Sequence, residues 1–342
     1  MSQIYKKSLF IELTINTIYV RIKRERQMFN MNYNYGVYPT MITPYKKDGS
    51  VDFETVKKYV RWYYEKGCDG IFAICQSSEI FYLSVEERVA INKTVMDTVL
   101  EIEKNGGRRM TVVSSGHVSD TIEDQAYELN RIVESGTDAL ILITNRLDIN
   151  NEGDDVWIAN AEKLLSMLPE DVNFGLYECP YPYKRLVTDR ILKWCLKTGR
   201  FYFMKDTCCD AEEIKHRLGI LKGSNFKLLN ANGQTLLQSL RDGGAGYCGI
   251  MANYHPELYG WLCKNYKSDK AELIAGFLSV SCFTENGISY PLSAKYHMNL
   301  EGIPTELITR KEGALLLGDY GKECTKQLKT TADYFKNMIL EG

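Results

Sequence analysis

The chain has 342 residues, 44% of them hydrophobic and 25% charged, with a net charge of −2. That is ordinary globular usage in a chain long enough to bury a core without disulfide or metal staples, and the charge gives no basic field for nucleic acid. No apolar run is long enough for a membrane span, the ten cysteines include no C-x-x-C pair, and the four histidines make no zinc spacing, so the sequence reads as a cytoplasmic protein with reduced thiols and no metal or other cofactor.

Residues 1–33 stand apart. Six basic residues oppose two acidic ones, a net charge of +4 that leaves −6 for the rest. The apolar run from Ser8 to Val20 is broken by Glu12 and lacks a small-residue cleavage site, so it is a poor signal peptide. This segment is expected to be a loosely held or non-native extension ahead of Met28 or Met31. From Gly36 onward, short apolar runs bounded by turn residues alternate with stretches of helical period. Candidate strands cover 36–42, 70–75, 110–115, 139–144, 173–178, 201–206, 226–231 and 246–251. Ser84 with Glu87, and Asp120 with Glu123, mark helix starts of the capping-box kind. Gly67 and Gly136 sit where helices end in a left-handed residue. "EKGCDGIFA" (65–73) and "ESGTDALIL" (134–142) repeat one layout of helix end, glycine, aspartate and apolar strand.

Strands alternating with helices imply a parallel sheet with right-handed crossovers, and eight such units imply a closed (β/α)₈ TIM barrel over residues 34–264. Residues 265–342 are helical in pattern, with breaks at Gly287 and Pro291, and are expected to pack on the barrel as a C-terminal helical appendix.

In such barrels chemistry sits at the C-terminal ends of the strands. Strand six ends in Lys205, and strand alternation puts Phe201, Phe203 and Lys205 on one face. A lysine ending an apolar strand in the barrel mouth is partly desolvated, which favours the neutral amine, and a neutral amine attacks a ketone to give a Schiff base. Strand five ends in Tyr177, on the same face as Gly175, whose missing side chain leaves room in the barrel; a phenol beside an imine can shuttle protons. After strand two, Ser77 and Ser78 in "CQSSE" (75–79) place hydroxyls and backbone N–H groups in a turn that suits a carboxylate. Cys75, Cys179, Cys208, Cys209 and Cys248 fall at or just after strand ends and read as small apolar filler rather than a metal or redox cluster. His117, just after strand three, reads as a surface or supporting group.

These segments together resemble the dihydrodipicolinate synthase / N-acetylneuraminate lyase family of pyruvate-dependent aldolases. "GVYPTMITPYKKDGSVD" (36–52), "CQSSEIFYLSVEER" (75–88), "LYECP" (176–180), "FMKD" (203–206) and "GGAGYCGIMAN" (243–253) are similar to its motifs, in its order, and Tyr177 and Lys205 keep its 28-residue spacing. The resemblance implies that Lys205 condenses with pyruvate or a related 2-oxo acid, that Tyr177 relays protons, that Ser77 binds the carboxylate with Ser78 in place of a glycine, and that the carbonyl of Cys248 faces the site. It also implies an aldehyde or sugar-acid partner substrate and a homo-oligomer, dimer or tetramer. Three departures stand against this. Gln76 replaces the first hydroxyl of the turn. "TNRLDIN" (144–150) lacks the loop tyrosine, with Asn145 or Arg146 in its place. Pro182 stands where the synthase has the arginine that grips its aldehyde substrate, while Lys184 or Arg185 could instead meet an anion. A Schiff-base aldolase or lyase that is not a true dihydrodipicolinate synthase is therefore expected. A 2-keto-3-deoxy sugar acid dehydratase using the same imine, and a catalytically silent 2-oxo-acid-binding relative, are the alternatives.

Overall fold

The computed structural model describes residues 36–340, so the expectation placed on residues 1–33 lies outside the described residues. In chain order the elements are β1 (Gly36–Val37), α1 (Phe53–Glu65), β2 (Gly70–Phe72), α2 (Val85–Lys104), β3 (Thr111–Ser114), α3 (Ile122–Ser135), β4 (Ala139–Ile143), α4 (Asp154–Ser166), β5 (Phe174–Tyr177), α5 (Asp189–Thr198), β6 (Phe201–Asp206), α6 (Ala211–Leu221), β7 (Lys227–Asn230), α7 (Leu236–Arg241) and β8 (Gly246–Tyr247). Four further helices follow: α8 (Pro256–Asn265), α9 (Ala271–Gly287), α10 (Leu292–Leu300) and α11 (Asp319–Leu340).

Every strand pairs in parallel with its neighbours, in the order β1-β8-β7-β6-β5-β4-β3-β2. The two ends of that order meet. Asp69 N donates to Val37 O at 3.0 Å, Phe72 N to Pro39 O at 3.0 Å, and Met41 N to Phe72 O at 3.0 Å, with a parallel bridge between Thr40 and Phe72. The sheet is thus a barrel. β1 is shorter than the apolar run that announced it because Pro39 has no N–H to give a ladder. β2 and β8 stop early as well, where the chain tightens into 3₁₀ turns at Gln76–Ser78 and Ile250–Asn253.

The repeated glycine–aspartate layout has a physical basis. Asp69 accepts the N–H of Val37 at 2.9 Å, and Asp138 accepts that of Val112 at 2.7 Å. In both joints the carboxylate at the foot of one strand ties down the strand before it. Gly67 and Gly136 make the preceding turns at positive φ, 80° and 90°. Ser84 and Glu87 form the expected reciprocal cap. The second cap is displaced by one residue. Thr121, not Asp120, accepts the N–H of Asp124, because the Asp120 carboxylate is taken by Arg146.

The strands are buried on both faces, as a parallel sheet requires. Outside the barrel, Leu140, Leu176, Met204 and Leu228 pack against Leu129, Leu164 and Ile191 of the surrounding helices. Inside it, the rings of Tyr38 and Phe203 lie 5.4 Å apart, and Phe72 and Tyr177 5.6 Å apart. One expected alternation fails. β6 carries an irregularity at its start, where Phe174 pairs with Phe201 but Gly175 pairs with Phe203. The extra residue turns Phe201 outward, onto Phe174 and Trp194, so it does not share the inner face of Phe203 and Lys205. Among the described residues, no helix is long and apolar enough to cross a membrane.

Candidate active site

Tyr177 and Lys205 are direct partners on β5 and β6. Their side chains rise from the inner face at the C-terminal end of the barrel. Beneath them Gly175 is required: a Cβ there would come within 2.6 Å of the Phe203 carbonyl. Lys205 is 4% exposed. Its Nζ lies 4.1 Å from the centre of the Tyr177 ring and 5.8 Å from that of Phe72. Burial, then the nearby thiols of Cys179 and Cys75, push the Tyr177 hydroxyl well above its ordinary range, so it stays protonated. It donates to Gln76 Oε1 at 3.3 Å.

Lys205, Tyr177, Gln76 and Ser77 all line one cavity of about 740 Å³ at the strand ends. The backbone beyond β7 and β8 joins them through Asn232 and Gly249. The Ser77 hydroxyl donates to Thr40 Oγ1 at 3.1 Å. Ser78 does not join the cavity. Its hydroxyl is fully buried and bonded to the carbonyls of Met41 and Ala73 and to the N–H of Cys75, so it shapes the turn and is closed to a ligand. Arg146 is also drawn elsewhere, to the Asp120 carboxylate and the Ser119 carbonyl, and Asn145 holds the carbonyls of Cys179 and Tyr181. Cys248 is buried just past β8; burial raises its thiol to about 12, with Lys205 near enough to oppose the rise. Lys184 lines the cavity and donates to the Thr207 carbonyl at 2.7 Å, whereas Arg185 pairs with Asp148 and Asp154.

His117 is neither at the surface nor in the cavity. Its Nε2 accepts the N–H of Ile143 at 2.8 Å and its Nδ1 meets Gln125 Oε1 at 2.7 Å. Burial lowers it to about 4, so the neutral ring braces the end of β4. Of the strand-end cysteines, Cys75 and Cys179 are buried and Cys209 is exposed, and no group of three His, Cys, Asp or Glu able to hold a metal occurs among the described residues.

Sequence reasoning missed the part of the site that comes from the C-terminal helices. Tyr290, between α9 and α10, lines the cavity, accepts from Asn253 at 3.4 Å and has the hydroxyls of Ser77 and Thr40 as neighbours. Glu79, at the left-handed end of the Gln76–Ser78 turn, binds the Nζ of Lys295 at 3.1 Å, the N–H of Arg310 at 2.6 Å and the hydroxyl of Thr309 at 2.8 Å. Burial lowers Lys295 to about 8, with Glu79 opposing. The chain beyond α10 is thereby anchored to the rim of the site. Nothing local to "SYPLS" signals this; the acid that follows "CQSS" was the available sign.

Residues 34–143 match the profile of the dihydrodipicolinate synthetase family. The 4-hydroxy-tetrahydrodipicolinate synthase of Saccharophagus degradans is 25% identical over 296 residues, 78% of this chain and 96% of its own. That of Haloarcula marismortui is 24% identical over 65% of this chain and 69% of its own. Among solved structures, the Escherichia coli prophage protein YagE, in complex with pyruvate, superposes with a TM-score of 0.75 at 20% identity, covering 88% of this chain and 98% of its own. CdNal from Clostridium difficile, in complex with mannosamine, gives 0.74 at 14% identity, covering 87% and 99%.

Proposed function

We propose that this chain is an aldolase or lyase of the dihydrodipicolinate synthetase family and that Lys205 forms a Schiff base with pyruvate or a related 2-oxo acid. The observation that carries this reading is the Lys205 amine, buried in a roomy cavity and set against the ring of a protonated tyrosine.

The chemistry then follows from the groups present. The amine lone pair attacks the C2 ketone; one proton passes from the nitrogen to the oxygen, a second protonates the resulting hydroxyl, which leaves as water, and an iminium remains. In cleavage, the C4 hydroxyl gives up its proton and becomes an aldehyde as the C3–C4 bond breaks. The electron pair of that bond moves into the iminium to give an enamine. C3 then takes a proton, and water hydrolyses the imine to free pyruvate and the amine. Tyr177 is the proton carrier, its ring centre 4.1 Å from the nitrogen. Ser77 meets the 2-oxo acid's carboxylate. Gln76 accepts from Tyr177 but has no hydroxyl proton to pass on, and Pro182 offers no charge to a second carboxylate. Both favour a substrate other than that of a true dihydrodipicolinate synthase, such as an aldehyde or sugar acid whose far end reaches Lys184, Asn232 or Gln234 across the cavity. Loss of a C3 proton and a hydroxyl from the same imine gives the dehydratase reading, separated from the first by comparing pyruvate release with water loss on sugar acids.

Borohydride added with pyruvate is expected to leave a covalent adduct mapped to Lys205 by peptide mass. An unmodified wild type, or an adduct that survives Lys205→Ala, overturns the proposal.

A further inference from the structure

We infer that Tyr290, carried on the turn between α9 and α10, completes the 2-oxo acid's carboxylate pocket by donating its hydroxyl beside that of Ser77. The inference rests on the Schiff-base reading of Lys205 and goes beyond it, because it assigns a ligand contact to the C-terminal helices.

The direction of the hydroxyl is fixed by its neighbours. Asn253 donates to the Tyr290 oxygen at 3.4 Å. The Asn253 amide cannot turn over, since its nitrogen also donates to the carbonyls of Thr40 and Ile250, both at 2.9 Å, while its oxygen accepts from Tyr63 at 2.5 Å. The Tyr290 oxygen is thus an acceptor on the Asn253 side, and its proton is left to point toward Thr40, Ser77 and the cavity. Burial pushes this phenol far above its ordinary range, with the neighbouring Ser77 and Thr40 hydroxyls opposing the rise, so the proton is retained at any physiological pH. In the free protein the Ser77 hydroxyl is spent on Thr40. Ser77 and Tyr290 therefore bring two neutral hydroxyls to the lining of the cavity that holds Lys205, with Thr40 fully buried beside them. A carboxylate is the ligand such a cluster suits: it accepts several hydrogen bonds, and the iminium formed at Lys205 balances its charge. A place in the proton relay is the competing role, and the contacts speak against it. Tyr177 bonds to Gln76, whereas the Tyr290 hydroxyl bonds to Asn253 and faces Ser77 and Thr40.

The test uses borohydride trapping with two probes, pyruvate and its neutral amide, pyruvamide. In Tyr290→Phe the pyruvate concentration for half-maximal trapping should rise about tenfold, the loss of one charge-assisted hydrogen bond, with the limiting rate within about threefold of wild type. The value for pyruvamide should move far less, so the preference for the charged probe falls. Ser77→Ala should act in the same direction, and the double variant should lose less than the two single losses combined. Equal weakening of both probes would mark Tyr290 as a packing residue and overturn the inference. So would an unchanged half-saturation with a collapsed rate, which would place Tyr290 in the relay. Trapping in the wild type with no effect of Tyr290→Phe sinks this inference alone; no trapping in the wild type sinks the Schiff-base reading with it.

Discussion

Tyr177 and Lys205 are brought together by a register, not by a loop. Adjacent parallel strands place them side by side, and both strands are locked by ladder hydrogen bonds and packing. Their spacing is therefore held by the stiffest part of the molecule, which is where the proposed Schiff-base chemistry needs its amine and its proton carrier to be. The glycine below them matters for the same reason, since a side chain there would strike Ile141 and the Phe203 carbonyl. Because the phenol sits over the amine and remains protonated, Tyr177→Phe should keep the fold and slow turnover by about 10²–10⁴-fold. Steady-state rates on a cleaved 2-oxo acid check this, and an unchanged rate would move the proton-carrying role to another group.

The recurring unit at the scale of elements is the joint between a helix and the next strand. A positive-φ glycine ends the turn, and an aspartate at the foot of the new strand ties the N–H of the strand before it. At the first joint this also closes the barrel, because Asp69 links the start of β2 to β1, the two ends of the strand order. Removing the carboxylate leaves the Val37 N–H buried without its acceptor. Asp69→Ala should lower stability by about 1–3 kcal/mol, seen as a lower urea midpoint with an unchanged slope. A midpoint equal to that of wild type would show that the joint is dispensable. The 3₁₀ turn after β2 is the other element that matters. Its serines divide the work: Ser77 faces the cavity, while Ser78 turns back to hold the strand ends.

For the molecule as a whole, burial of ionisable groups couples the fold to pH. His117 is lowered to about 4 by burial, helped by Arg146 and Arg88 and opposed by Gln125 and Glu128. A histidine held below its unfolded value of 6.5 contributes stability that is present above 6.5 and is lost as pH falls toward 4. Glu178 acts in the opposite sense. Burial, then the adjacent Asp206, raises it to about 7, so its contribution is present below 4.5 and lost as pH rises to 7. The total profile mixes the two, but a difference isolates one. The stability gap between wild type and His117→Gln should be widest above pH 6.5 and shrink by more than about 1 kcal/mol by pH 4. Urea unfolding at the two pH values measures it, and a gap constant with pH would refute a neutral buried ring.

The barrel was legible in the sequence because each of its units is local. An apolar run, a cap and, at two joints, a glycine–aspartate pair each announce themselves within about ten residues, and eight strand–helix units leave one closed architecture. Lys205 and Tyr177 were legible for the same reason, since a strand end can be read from the strand. Where the reading missed, a tertiary partner outside the local pattern decided. Ser78 turns inward because the carbonyls of Met41 and Ala73 wait there, and Arg146 leaves the cavity because Asp120 claims it. Tyr290 reaches the site because the chain beyond the barrel is pinned back over its mouth through Glu79, Lys295 and Arg310. Short-range patterns fix backbone conformation, but they carry no information on which side chains will meet across more than two hundred residues of chain. Only packing the folded molecule, with every buried polar group seeking a partner, selects those contacts.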